Sequence, residues 1–132
     1  MSSTSAPISP FDTLQQQALD DAATVEGLVG YWVPQVSSKD LGTVAGGRSF
    51  GYPEILTDFQ SWKAAFPDAV LLRSDDFSSF SSAGYWVTMI PRTFSTAQEA
   101  NGWCDEQQIP ADDCFAKRLS HTEGPAGNTV HR

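Results

Sequence analysis

A chain of 132 residues, 40% hydrophobic and 18% charged, is one globular domain, able to bury a modest core without a structural metal. Its formal net charge of −8 argues against polyanionic partners, with nucleic acid and anionic membrane surfaces first among them. No run approaches the ~18 apolar residues of a membrane span, so direct membrane insertion of this segment is not expected either.

The start, Met-Ser-Ser-Thr-Ser-Ala-Pro-Ile-Ser-Pro, has neither the basic beginning nor the apolar centre of a signal peptide. Residues 1–8 read as a flexible lead, in keeping with a domain cut from a longer exported protein, the alternative being a cytosolic protein with a frayed start, and residues 9–132 read as the single domain. Ser9-Pro10 offers an N-cap followed by Pro at the first helical position. Leu14, Ala18, Ala22 and Val25 then share one helical face, and Gly27 closes an N-terminal helix over 9–27.

The first unit, residues 30–74, opens with a strand from Tyr31 to Val36, in which Pro34 favours an edge, a bulge or an early end. Residues 37–51 link it onward, and Gly46-Gly47 turns a small hairpin there. No Gly-Lys-Ser/Thr follows these glycines, so they do not make a phosphate loop. Pro53 starts a helix whose apolar stripe is Ile55, Leu56, Phe59, Trp62 and Phe66, and Pro67 ends it. Ala69-Val70-Leu71-Leu72 is a short, wholly apolar strand. Residues 74–83 form a polar connection. Its Asp75-Asp76 pair lacks the alternating ligands and closing Glu of a calcium loop.

The second unit, residues 84–120, repeats the plan with a strand from Tyr85 to Ile90 that Pro91 closes. Thr96 and Glu99 make a capping box for a helix turning Ala97, Ala100, Trp103 and Cys104 inward. Pro110 stops it, Cys114 to Leu119 is the last strand, and residues 121–132 read as an irregular tail. Cys104 and Cys114 stand at a helix end and at the next strand, close enough for a disulfide, with two buried thiols as the alternative. A disulfide would stabilise the fold by about 3 kcal/mol and point to an oxidising compartment.

Gly30-Tyr31-Trp32-Val33 returns 54 residues later as Gly84-Tyr85-Trp86-Val87, which makes the core a duplicated β-α-β unit. Two such units predict an α+β, ferredoxin-like βαββαβ fold. It has a four-stranded antiparallel sheet in the order 4-1-3-2, two helices on one face and the N-terminal helix added. Alternation separates Tyr31, Val33 and Gln35 from Trp32, Pro34 and Val36, and sorts the second copy the same way. One pair of aromatics is then expected side by side on the face without helices, unless the N-terminal helix covers it. Paired aromatics on an open face mark a binding surface.

Catalysis has little support. His121 and His131 both fall in the tail without partners at ligand spacing, so no metal site or cofactor is expected. Ser37, Ser38 and Lys39 evoke a Ser-Lys nucleophile, but adjacent strand residues point apart, and Ser38 would not share a proton with Lys39. The reading is a non-enzyme with no catalytic residues.

The tandem β-α-β plan resembles the SPOR domain, a cell-wall module of bacterial envelope proteins. More closely, Trp32-Val33-Pro34-Gln35-Val36-Ser37-Ser38-Lys39, Tyr85-Trp86-Val87-Thr88, and Trp103-Cys104 with Cys114 to His121 resemble a domain of actinobacterial envelope proteins. That domain is associated with the extracytoplasmic C-terminal part of membrane-anchored Ser/Thr kinases. The resemblance implies an exported binding or sensor domain that recognises a cell-wall glycan or peptide on its sheet. Tyr31, Trp32, Gln35, Lys39, Tyr85 and Trp86 are the candidate ligand contacts. The alternative is a protein-interaction module of an envelope or signalling protein, docking a partner on the same surface or by its exposed sheet edge; a small hydrolase is the least supported.

Overall fold

Gly30 and Gly84, which open the two tetrapeptides, both adopt left-handed backbone, with φ of 89° and 88°. Residues with a side chain rarely tolerate that conformation, so each glycine lets the chain swing sharply into the strand that follows. The computed structural model describes residues 9–132, and the lead expected at 1–8 lies outside the described residues.

In chain order the elements are α1 (Pro10–Glu26), β1 (Trp32–Lys39), β2 (Val44–Ala45), β3 (Arg48–Ser49), α2 (Tyr52–Ala65), β4 (Val70–Arg73), β5 (Trp86–Met89), α3 (Ala97–Glu106), β6 (Phe115–Arg118) and β7 (Thr129–Val130). The helix starts are those the sequence marks. Ser9 Oγ accepts from the Asp12 N–H at 3.1 Å, and Thr96 Oγ1 accepts from the Glu99 N–H at 3.1 Å. The Gly46-Gly47 hairpin forms as β2 and β3. Cys104 and Cys114 are joined by a disulfide with a Cα–Cα separation of 5.8 Å, both fully buried beneath Trp62, Phe66 and Trp103.

The molecule is α+β, with a five-stranded sheet ordered β4-β5-β1-β6-β7, antiparallel throughout. The fifth strand corrects the expectation of four strands and an irregular tail. Gly127 turns back with φ of 78°, and Asn128 is fully engaged. It accepts from Arg118 Nε at 2.7 Å and donates to the Gly124 carbonyl at 2.7 Å, which seats Thr129 opposite Lys117.

The duplication is visible in the register. Trp32, Val33, Pro34 and Gln35 of β1 face Arg118, Lys117, Ala116 and Phe115 of β6. In the same order Trp86, Val87, Thr88 and Met89 of β5 face Arg73, Leu72, Leu71 and Val70 of β4. Each Trp lies under a cross-strand guanidinium, Arg118 at 4.9 Å from the Trp32 ring and Arg73 at 4.0 Å from the Trp86 ring. Each is also roofed by the other unit's helix: Trp32 packs with Ala97 and Ala100 of α3, and Trp86 with Ile55 and Phe59 of α2. The halves are therefore interlocked.

α2 and α3 cover one face. α1 crosses the β4 edge: Leu14 packs with Leu71 and Trp86 on the helix side, while Val25 packs with Val33, Val70 and Val87 on the opposite side. At the crossing the Asp21 carboxylate accepts the Leu71 N–H at 2.9 Å, filling a backbone donor that an edge strand would otherwise present. The far face is roofed over β4 and β5 by the end of α1, Leu28 and Phe77, and is left open toward β6 and β7.

Candidate functional site

The residues singled out from the sequence do not share one surface. Trp32 and Trp86 are 8% and 3% exposed, held under the helices. This corrects the expectation that they stack on a ligand. The two tetrapeptide strands are neighbours, but they run antiparallel. β1 begins beside Arg118, whereas β5 begins beside Lys39, at the other end of β1. Tyr31, 51% exposed, and Tyr85 consequently stand at opposite ends of the sheet, and no aromatic pair forms.

Lys39 is displaced by a β-bulge. Gln35 faces Met89 and Ser37 faces Thr88, so β1 carries one extra residue there. Strict alternation would put Gln35, Ser37 and Lys39 on one face. The bulge instead turns Ser37 and Lys39 toward α2, and Ser38 to the open side. Lys39 Nζ donates to Ser37 Oγ at 3.1 Å, and the buried Ser37 hydroxyl donates to Asp58 of α2. That chain ties β1 to α2.

Gln35 and Tyr85 do meet, in a groove of about 280 Å³ on the open part of the far face. β1 supplies Gln35 and Ser38, β6 supplies Phe115 and Lys117, and Thr129, His131 and the 80–85 segment close the sides. Gln35 is 5% exposed, and its Oε1 is buried with no hydrogen-bond partner among the described residues. A buried amide oxygen without a partner costs ~1–3 kcal/mol, so its retention calls for an explanation.

Lys117, 4% exposed, is the central cation of the groove. Its Nζ donates to the Ser79 carbonyl at 2.6 Å and to Thr129 Oγ1 at 2.7 Å, and lies 4.6 Å from the Phe80 ring centre. Burial pushes its pKa down from 10.5 to about 8, because no anion compensates the lost hydration. Phe115 and His131 pack ring to ring at 4.6 Å on the rim.

The sequence reading did not single out Lys117, Phe115 or Thr129. A usable signal existed: in Phe115-Ala116-Lys117-Arg118 alternation sets Phe115 and Lys117 on one side. Aligning the two units places Lys117 where the first has Leu72, and Gln35 where the second has Met89.

Among the described residues no cluster of three His, Cys, Asp or Glu is placed to hold a metal, and no helix is long and apolar enough to cross a membrane. No protein-family model matches the chain, and no curated protein or solved structure is significantly similar to it.

Proposed function

We propose that the chain is a non-enzymatic, extracytoplasmic binding or sensor domain that recognises a cell-wall component in the groove of its open sheet face. It does so on a ferredoxin-like framework of SPOR type, with β7 as an added edge strand. The single observation that carries this reading is the groove itself. The unpaired amide oxygen of Gln35 and the Lys117 ammonium belong to one groove walled by Tyr85, Phe80 and Phe115. A concave site with a few polar groups among aromatic walls is the usual form of a small-ligand site. The Cys104–Cys114 disulfide supports an oxidising address, and with it a place in an envelope protein such as the outer part of an anchored kinase.

Co-sedimentation with purified peptidoglycan tests it. The domain is expected in the pellet, and Tyr85→Ala or Gln35→Met is expected to release it. A domain that stays in the supernatant, or is retained equally with both substitutions, defeats the reading.

The docking of an envelope protein has its own support at a different place. Leu41 and Val44, beside and within the β2–β3 hairpin, are 54% and 71% exposed. Retention that requires an added envelope protein, and survives the groove substitutions, would favour that second reading.

A further inference from the structure

Every other cleft described on this acidic molecule contains a carboxylate. Glu54 and Asp58 line the cleft between the β2–β3 hairpin and α2, Glu26 and Asp76 the one beside α1, Asp113 the one near Trp62, and Asp105 the one at the β7 edge. The open-face groove is lined by none, although the chain has 16 acids against 8 lysines and arginines. Its ionisable lining consists of Lys117, His131 and Tyr85. An anion entering this groove meets no carboxylate in its lining.

The internal repeat removes the fold as the reason for this polarity. At the equivalent positions of the other half, Leu72 and Met89 fill the same register and pack under Val25 and Phe77. Apolar side chains satisfy the sheet at these places, so Lys117 and Gln35 are departures the architecture does not require. Lys117 is, moreover, a buried cation whose protein partners are a carbonyl, a hydroxyl and a ring, all neutral. The carbonyl and the hydroxyl take two of its three N–H groups.

Resting on the binding role proposed above, we infer that the groove takes a carboxylate adjoining an acylamino group, with the carboxylate on Lys117 and the amide N–H on Gln35 Oε1. Val33 faces Lys117 and Gln35 faces Phe115, so Gln35 and Lys117 are diagonal neighbours on adjacent strands, ~7–8 Å apart at the backbone, with side chains converging on the groove. One acylated residue spans about 3.8 Å along the chain, less than that backbone separation, so it can lie between the two side chains. Tyr85 and Phe115 flank that space with ring surface for the substituent. In a cell wall this pairing occurs at the end of a peptide and in an N-acylated sugar acid, and is absent from a neutral amino sugar.

Titration calorimetry at pH 7 with defined probes separates these cases. N-acetyl-alanyl-alanine in its D and L forms, the D dipeptide as C-terminal amide, N-acetylmuramic acid and N-acetylglucosamine would each be titrated. The expected result is binding of at least one carboxylate probe, and at least tenfold weaker binding of the C-terminal amide and of N-acetylglucosamine. Dipeptide binding identifies the peptide end as the source, and muramic acid binding identifies the sugar acid. Lys117→Met and Gln35→Met are each expected to weaken the preferred probe tenfold or more while each variant keeps a cooperative unfolding transition. Equal binding of acid and amide, or unchanged affinity in a folded Lys117→Met protein, overturns the inference. Retention on peptidoglycan with no probe bound also overturns it, and leaves the broader binding role standing; failure of both assays removes the two together.

Discussion

On the helix-covered face the two halves of the sheet are interchangeable: Trp32 beneath Arg118 and α3 matches Trp86 beneath Arg73 and α2. On the other face they part company. One half presents Leu72 and Met89 to the end of α1 and Phe77, and the other presents Lys117 and Gln35 to an open groove. A duplicated scaffold thus carries its own control. What both halves keep is what the fold needs, and what one half alone has changed is free to serve recognition. The same comparison explains the fate of the tryptophans, whose conspicuous repetition belongs to the core.

The largest effect is expected from making the covered half resemble the open one. Leu72→Lys would place an ammonium against Val25, Leu28 and Phe77, and should destabilise the domain by about 3 kcal/mol in denaturant unfolding, the carboxylates of Glu26 and Asp76 in the same cleft offsetting part of the cost. Lys117→Leu, the reverse exchange, should cost no more than ~1–2 kcal/mol, since it deletes two hydrogen bonds and also relieves a desolvated charge. Comparable losses for the two substitutions would show that the halves are equally demanding, and the contrast drawn above would collapse.

A smaller effect probes the cover rather than the sheet. Asp21→Ala removes the acceptor of the Leu71 N–H and should cost ~1–3 kcal/mol, the range for a buried donor left unpaired. Amide hydrogen exchange at Leu71 should accelerate, while Ala116 on the β6 side keeps its protection, because its N–H donates to Asn101 Oδ1 at 2.8 Å. Equal acceleration at both amides would mean that α1 supports the whole sheet and not one half.

Much of this was legible beforehand. The repeat shows as an identical tetrapeptide, and the caps of α1 and α3, the hairpin glycines and the cysteine pairing are local signals, each fixed by residues no more than 10 apart in the chain. What could not be read depends on contacts far apart in sequence. The bulge that sends Lys39 to α2 arises from how β1 meets β5; Pro34 signals an edge, a bulge or an early end, but not which of the three the pairing selects. β7 exists because Asn128 finds Arg118 and Gly124. The separation of Tyr31 from Tyr85 was implicit in the predicted strand order. Neighbouring antiparallel strands put matching positions at opposite ends, and the shared motif drew attention away from that consequence.

The subtlest test is a slope. Lys117 has a folded-state pKa of about 8 against 10.5 when unfolded, so between those values the unfolded chain binds more protons than the native one. Stability then rises with pH across that window. Below about 8 the lysine is charged in both states and its burial penalty is present in full; above 10.5 it is neutral in both and the penalty is gone. Around Lys117 stand the Ser79 carbonyl, Thr129, the Phe80 ring, His131 and Tyr85, without a carboxylate to mask the titration. Wild type and Lys117→Leu, unfolded by urea from pH 7 to 10.5, should differ by a gap that shifts in favour of wild type as pH rises, no faster than ~1.4 kcal/mol per pH unit, the limit for one proton. A pH-independent gap would mean that Lys117 is as well solvated as any surface lysine, and the open half would then differ from the covered half in shape alone.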